Sequence, residues 1–172
     1  MKLGILREEK IPVDRRTPFS PSQCKRIIND FPNIEIYVQS CKFRCYSDHE
    51  YLLNNISVLE DISFCDILFG IKEVPIDRLI SHKTYFFFSH TIKKQAYNRD
   101  LLKKMISLNI RMIDYEVLKF DNGKRILGFG RYAGIIGAYN GLLTYGLKTN
   151  LFNLKPAHLC FDRKKMDNQL KK

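Results

Sequence analysis

The chain has 172 residues, of which 45% are hydrophobic and 27% are charged, as in an ordinary globular protein with one core. No run reaches the roughly 18 uncharged apolar residues of a membrane-spanning helix, and the N-terminus has no signal-peptide pattern. These features exclude an integral membrane protein, and we expect a cytoplasmic protein with no membrane partner.

The formal net charge is +11, which raises the possibility of nucleic-acid binding. However, the lysines and arginines are scattered, and part of the excess lies in the polar segment 162–172. We therefore expect no nucleic-acid partner. The excess charge indicates either a solvated basic surface or a pocket for carboxylates.

The five cysteines are odd in number, and nothing suggests export, so we expect reduced thiols and no disulfide framework. Cys41, Cys45 and His49 could supply three ligands of a zinc site. No fourth ligand is obvious. Ordinary residues of a surface loop are the favoured interpretation, and we expect no metal.

Predicted strands and helices alternate from the N-terminus onwards. The apolar run 2–6 predicts a buried strand, and a charged loop follows over 7–19. Ser20 as N-cap, Pro21 at the first helical position and Gln23 as capping-box partner predict a helix start. The expected apolar face of this helix consists of Cys24, Ile27, Ile28 and Phe31. After the helix, a second strand is predicted over 34–38.

The second half of the chain continues this alternation. Residues 40–60 are mixed, with a short helix at about 48–54, and strands are predicted over 67–71, 85–89 and 110–113. Residues 125–129 are a candidate for one more strand. A helix is predicted at about 95–107 and a long glycine-bearing helix at about 132–148. The first of these is expected to bury Leu101, Leu102, Met105 and Ile106.

Several of the predicted strands are apolar on both faces, which favours an α/β domain with a largely parallel sheet. The segment after Pro156 has little apolar content, so we expect a linker or a frayed end there.

In parallel α/β sheets, ligands bind outside the C-terminal ends of the strands. Polar residues directly follow several of the predicted strands, and Arg125 begins or precedes the candidate strand 125–129. Guanidinium groups bind carboxylates by paired hydrogen bonds, whereas a histidine, or a lysine among cations, exchanges protons near neutral pH. The set therefore suits the deamination of an amino acid, although each residue could be an ordinary surface charge. Its other members are Arg7, Lys10, Arg15, Arg16, Lys72, Glu73, His90, Lys93, Asp114, Tyr115 and Glu116.

Residues Gly128–Ala133 fit the dinucleotide-binding pattern G-x-G-x-x-A. That fingerprint also needs an acidic residue about 20 positions later, at the end of a second strand. The corresponding region, Asn150–Asn153, has none, so we expect no nucleotide at this motif. The glycines at 130, 134, 137 and 141 are spaced instead for one close-packed helix face.

Four motifs together resemble the N-terminal domain of the alanine dehydrogenase/pyridine nucleotide transhydrogenase superfamily, above all its saccharopine dehydrogenase/lysine–oxoglutarate reductase branch. They are Ile71–Pro75, Phe86–Lys93, Ile113–Glu116 and Gly130–Gly134. The resemblance runs over residues 2–149. It implies a three-layer, Rossmann-like (flavodoxin-like) α/β domain with a mostly parallel sheet that ends in a long glycine-bearing helix.

The same resemblance implies roles for individual residues. Lys72 and His90 would be the catalytic acid–base pair. Arg16 would grip a substrate carboxylate, and its neighbour Arg15 is the alternative. The residues implied to line the site are Lys10, Glu73, Lys93, Glu116 and Arg125.

Family members carry a following domain that binds NAD or NADP. The resemblance therefore implies that residues 1–149 are a substrate-binding domain and 150–172 a linker or tail toward a missing NAD(P)-binding domain. We expect the substrate domain of an NAD(P)-dependent amino-acid dehydrogenase of the saccharopine/lysine or alanine type, inactive alone. The alternative is a non-catalytic module that binds an amino acid or a 2-oxo acid. A small molecule is the expected partner, and the glycine-spaced helix suits a homo-oligomer.

Overall fold

The computed structural model describes residues 1–160 and 162–171. The described residues fall into two compact units, one within Met1–Ile126 and one within Leu127–Lys172. No helix of the described residues is both long enough and apolar enough to cross a membrane.

The first unit is built on a parallel sheet with strand order β3-β2-β1-β4-β5-β6. The predicted α/β fold with a mostly parallel sheet is therefore confirmed. The order reverses between β1 and β4, which is where open sheets of this kind bind ligands. The strands are β1 (Lys2–Ile5), β2 (Glu35–Gln39), β3 (Ser57–Leu59), β4 (Ile67–Phe69), β5 (Thr84–Phe87) and β6 (Arg111–Asp114).

Helices cover both faces of this sheet, because each strand buries side chains in two directions. On one face, Leu3 and Ile5 of β1 pack with Cys24 of α1 (Pro21–Asp30) and Tyr51 of α2 (Asp48–Leu52). On the other face, Leu68, Tyr85 and Phe87 pack with Leu101 and Met105 of α3 (Arg99–Ser107).

Helix α1 begins as its capping residues predict. The Ser20 hydroxyl accepts a hydrogen bond from the Gln23 backbone N–H, and the Gln23 side chain accepts one from the Ser20 N–H. Phe31 was expected on the buried face of this helix, and that expectation is wrong, because Phe31 is the C-cap residue and is 57% exposed.

Two further expectations for this unit are also wrong. Leu102 and Ile106 are exposed on α3, whereas Leu101 and Met105 face the sheet. Residues 125–129 do not form a strand. Instead, Lys119 and Arg125 form an isolated antiparallel bridge that closes a short hairpin, with Gly123 at φ 77° in its turn.

The second unit consists of α4 (Gly130–Thr149), a short α5 (Arg163–Asp167) and single helical turns. After Pro156, where a linker or a frayed end was expected, Met166 is buried and packs with Leu154 and with Tyr139 of α4. Gly146 lies so close to Phe152 that a Cβ would be 2.5 Å from the Phe152 carbonyl. By contrast, a Cβ at positions 130, 134, 137 and 141 would meet no described atom within 4 Å, so the expected close packing of that face is not found within this unit.

Candidate functional site

Charged side chains converge beyond the C-terminal ends of β1, β4, β5 and β6, the edge of the sheet where ligands were expected. Glu8, just past β1, binds the segment that follows β4. Its carboxylate accepts hydrogen bonds from the backbone N–H groups of Ile71 (2.6 Å) and Lys72 (2.8 Å). Burial raises the pKa of Glu8 to about 7, although these two donors act in the opposite direction. The backbone at Lys72 is thereby fixed to the end of β1.

Arg16 forms a two-pronged ion pair with Asp14. Its Nη2 lies 2.5 Å from Asp14 Oδ2, and its Nε lies 2.9 Å from Oδ1. The hydrogen bond from Arg16 lowers the pKa of Asp14, and the charge of Lys72 adds to this effect. The negative charge of Glu8 in turn contributes to the raised pKa of Arg16, after the larger effect of Asp14. These four residues are therefore close enough to act on one another electrostatically.

Arg15 points elsewhere. Its Nε donates to the carbonyl oxygen of Phe43 (3.0 Å), and its own carbonyl accepts from the N–H of Cys45 (2.7 Å). The structure thus places Arg15 against the loop that carries Phe43 and Cys45, while Arg16 lies with the site acids.

A hydrogen-bonded chain joins Lys10, Glu73 and His90. Lys10 Nζ lies 2.6 Å from Glu73 Oε2, and His90 Nδ1 lies 3.0 Å from Glu73 Oε1. Burial acts to raise the pKa of Glu73, but the hydrogen bonds from Lys10 and His90 outweigh it, and the pKa is lowered. Because Glu73 is ionised, Nδ1 of His90 must donate to it, and the lone pair of a neutral His90 imidazole is on Nε2.

The turn after β5 holds His90 in an unusual conformation. His90 has φ 57°, in the left-handed region, which costs roughly 1 kcal/mol or more for a residue with a Cβ. The neighbouring Ser89 is fully buried, and its hydroxyl donates to Asp114 at the end of β6 (2.6 Å). The same Ser89 hydroxyl accepts from the N–H of Thr91 (3.2 Å). This anchoring of both neighbours fixes where the imidazole points.

Aromatic rings connect His90 to the acids near β1. The Phe88 ring stacks on His90 with centroids 6.4 Å apart and meets Tyr115 edge-on at 5.1 Å. Tyr115 is buried, and its pKa is raised by burial and by the charge of Glu8. Through these contacts His90, Lys72 and Arg16 belong to one edge of the sheet.

Glu116 is a buried acid of this edge. It is 7% exposed, and its Oε1 lies 3.3 Å from Lys93 Nζ and 3.2 Å from Arg125 Nη2. Its Oε2 is buried and has no hydrogen-bond partner among the residues that the structure describes. Lys93 and Arg125 are half-exposed, so both cations can also reach a ligand.

The structure thus brings together eight of the nine predicted site residues and separates Arg15 from them. Two residues that line the same edge, Glu8 and Asp14, were missing from the prediction. A signal for them existed, because a dense group of cations needs anions between its members, and both acids lie within the basic loop after β1.

The described residues contain no group of three or more His, Cys, Asp and Glu side chains that could hold a metal ion. Cys41, Cys45 and His49 therefore do not assemble a metal site among them. Gly128–Ala133 also does not fit a dinucleotide-binding motif, because among the described residues no strand leads directly into it: the last strand, β6, ends at Asp114.

Comparisons with known proteins show which family the chain resembles. The family model for the alanine dehydrogenase/PNT N-terminal domain matches residues 4–136. The chain is 38% identical over 139 residues to an alpha-aminoadipic semialdehyde synthase of Arabidopsis thaliana, covering 78% of this chain and 13% of that protein. It is 31% identical over 150 residues to a saccharopine dehydrogenase (NAD(+), L-lysine-forming) of Candida albicans, covering 83% and 38%.

A solved L-alanine dehydrogenase superposes with a TM-score of 0.63 at 16% identity, covering 85% of this chain and 40% of the other. At this identity the likeness shows the fold alone. This chain spans less than half the length of each of these three proteins.

Proposed function

The chain belongs to the alanine dehydrogenase/PNT N-terminal domain family, and on that premise we propose that it is the substrate-binding domain of an NAD(P)-dependent amino-acid dehydrogenase of the saccharopine or lysine type. The observation that carries the proposal is the Lys10–Glu73–His90 chain, which orients an imidazole at an edge rich in cations. The similarity to saccharopine dehydrogenases supports the substrate class.

In this proposal Arg16 binds a substrate carboxylate. Asp14 already holds its guanidinium in a planar, two-pronged arrangement, and the side chain is 43% exposed, so a ligand can reach it. A saccharopine-type substrate carries several carboxylates, and the half-exposed Lys93 and Arg125 suit a second one.

His90 and Lys72 form the proposed acid–base pair. Glu73 holds His90 Nδ1, so Nε2 is the atom that exchanges a proton with the substrate nitrogen or with water. Lys72 is held at its backbone by Glu8, and its side chain is the second proton carrier. We propose that residues outside this chain bind the dinucleotide, because Gly128–Ala133 does not fit a dinucleotide-binding motif. None of the roles given above depends on the dinucleotide.

Carboxylate binding by this chain is the first test. Calorimetry with saccharopine, 2-oxoglutarate and pyruvate compares Arg16→Ala with Arg15→Ala, two neighbouring changes that remove the same charge. Loss of one charge-assisted pair predicts about tenfold weaker binding for Arg16→Ala and less than about twofold for Arg15→Ala. Equal losses in both variants would exclude Arg16 as the carboxylate ligand.

Catalysis is tested by joining this chain to the part of a saccharopine dehydrogenase that lies beyond the matched region. NADH oxidation is measured with 2-oxoglutarate plus lysine, and with pyruvate plus ammonia. We expect Lys72→Met and His90→Gln to lower kcat by about 100-fold or more, with Arg15→Ala as the control. Full activity in both variants would end the acid–base assignment, whereas binding without turnover in any chimera would favour a non-catalytic binding module.

A further inference from the structure

A cavity of about 180 Å³ adjoins the candidate site without being the same site. It shares Glu8, Lys72 and Glu73 as one wall, but among the described residues neither Arg16 nor His90 lines it. The cavity lies beyond the C-terminal ends of β1 and β4, at the reversal of strand order where ligands bind in open parallel sheets.

One part of the cavity lining is apolar and lies against the core. Leu6, Val74 and Ile80 line the cavity, are only partly buried, and pack against the core residues Leu68 and Tyr85 beneath them. The Tyr85 hydroxyl accepts a hydrogen bond from the N–H of Ile80 (3.0 Å). Such a surface recognises an aliphatic group, and the volume suits one small molecule of amino-acid size.

The rim carries charges of both signs with unused capacity. The Arg78 side chain is 64% exposed, and its guanidinium has only 3.9 Å contacts with Glu9 and Asp77. Glu9 Oε1 accepts a hydrogen bond from Arg7 (3.0 Å), whereas its Oε2 has only the long contact with Arg78 among the described residues. A guanidinium and a carboxylate oxygen, each without a close partner among the described residues, thus lie on the rim of a cavity whose lining also includes the apolar side chains of Leu6, Val74 and Ile80.

The geometry points to a binding site for a free α-amino acid with an aliphatic side chain of about the size of valine or leucine. Arg78 binds its carboxylate, Glu9 binds its ammonium, and the side chain lies on Val74 and Ile80. This inference is independent of the proposed function. Because the cavity shares the Lys72–Glu73 segment with the candidate site, an amino acid bound here contacts the backbone that carries the proposed acid–base residue.

Methyl-detected NMR of this chain with added L-leucine tests the site. We expect concentration-dependent shifts of the Leu6, Val74 and Ile80 methyl groups, with a dissociation constant on the order of 1 mM. The methyl groups of Ile27 and Ile28, which belong to the core cluster on the other face of the sheet, are the internal control and should not move. Isoamylamine lacks the carboxylate and 4-methylpentanoate lacks the ammonium, so each should bind about tenfold more weakly.

Variants separate this cavity from the candidate site. Arg78→Ala should weaken leucine binding about tenfold and leave 2-oxoglutarate binding unchanged. Arg16→Ala should do the reverse, and Arg26→Ala, which removes an 82% exposed cation on α1, should change neither. No methyl shifts with leucine at about ten times the expected dissociation constant, or leucine binding that Arg16→Ala abolishes and Arg78→Ala spares, would overturn the inference. The proposed function would stand in the first of these outcomes, because it is measured with a different ligand.

Discussion

Two groups of buried charges in the first unit differ in how completely their partners are supplied. Arg44 is enclosed, with a side chain 2% exposed and its guanidinium 4.6 Å above the Tyr51 ring. It donates to the carbonyl oxygens of Gln39 (3.0 Å) and Tyr46 (3.2 Å), and it lies 2.5 Å from Asp48. Every nitrogen of this guanidinium has a partner within the fold.

The edge beyond β4, β5 and β6 is different. Glu116 has one buried oxygen without a partner among the described residues, and the cations that neutralise its other oxygen are half-exposed. Glu8 is partly buried, and burial raises its pKa to about 7. Charges whose partners are complete hold a fold together, whereas charges with spare capacity are available to a ligand. The comparison predicts that changes in the first group alter stability and that changes in the second alter binding and pH dependence.

The largest expected effect follows from Arg44→Met. The variant keeps an unbranched side chain but leaves Asp48 without its cation, and removal of one partner of a buried pair costs about 3 kcal/mol. Urea unfolding at pH 7 measures the free energy of unfolding. Binding of 2-oxoglutarate should be unchanged wherever the variant is folded.

The double variant Arg44→Met/Asp48→Asn is the control, because it removes the uncompensated charge as well. It should recover part of the lost stability. A loss below about 1 kcal/mol in the single variant, or weaker 2-oxoglutarate binding by the folded variant, would contradict the division between the two groups.

A smaller effect is expected from Glu8→Gln, and it depends on pH. Because burial raises the pKa of Glu8 from 4.5 to about 7, the folded chain holds this proton more tightly than the unfolded chain. The stability that protonated Glu8 contributes is thus fully present below pH 4.5 and is lost as the pH rises through 7. Between pH 5 and 8, wild type should lose roughly 2 kcal/mol relative to the variant. Urea unfolding at both values measures this difference.

Glu50→Gln provides a control of opposite sign. The backbone and side-chain hydrogen bonds from Ser47 lower the pKa of Glu50, so its contribution is present at neutral pH and is lost as the pH falls below its usual range. Between pH 5 and 8, the difference in the free energy of unfolding between Glu50→Gln and wild type should therefore change little. A difference between wild type and Glu8→Gln that does not change with pH would place Glu8 with the fully partnered group.

How far the sequence predicts these features depends on how local their causes are. The start of α1 was predictable, because the capping box lies within four residues. The strand-end rule located Lys72 and His90, since it needs only the strands that precede them. Glu8 and Asp14 also follow a strand, β1, but the rule does not show what they contact. Glu8 binds backbone N–H groups that are more than 60 positions away, and the pKa of Asp14 depends on the surrounding cations.

The burial of α3 shows a second limit. Leu101 and Met105 are spaced i, i+4, and so are Leu102 and Ile106. Both rows are equally apolar, so periodicity cannot tell which one faces the sheet. The three-residue edge strand β3 was missed for a related reason, because its one partly buried residue, Val58, gives too short a pattern.

The smallest expected effect concerns the tautomer of His90. With Glu73 ionised, a neutral His90 carries its proton on Nδ1 and keeps Nε2 as the acceptor. In Glu73→Gln the charge-assisted bond is replaced by a neutral one, a change of about 1 kcal/mol, so the ratio of Nδ1-H to Nε2-H tautomers should fall about fivefold. Nitrogen-15 NMR of the imidazole above pH 8 measures this ratio. His49, which has no contact with Glu73 among the described residues, is the internal control. An unchanged ratio for His90 would mean that Glu73 does not orient the imidazole, and the proposed proton exchange at Nε2 would lose its structural basis.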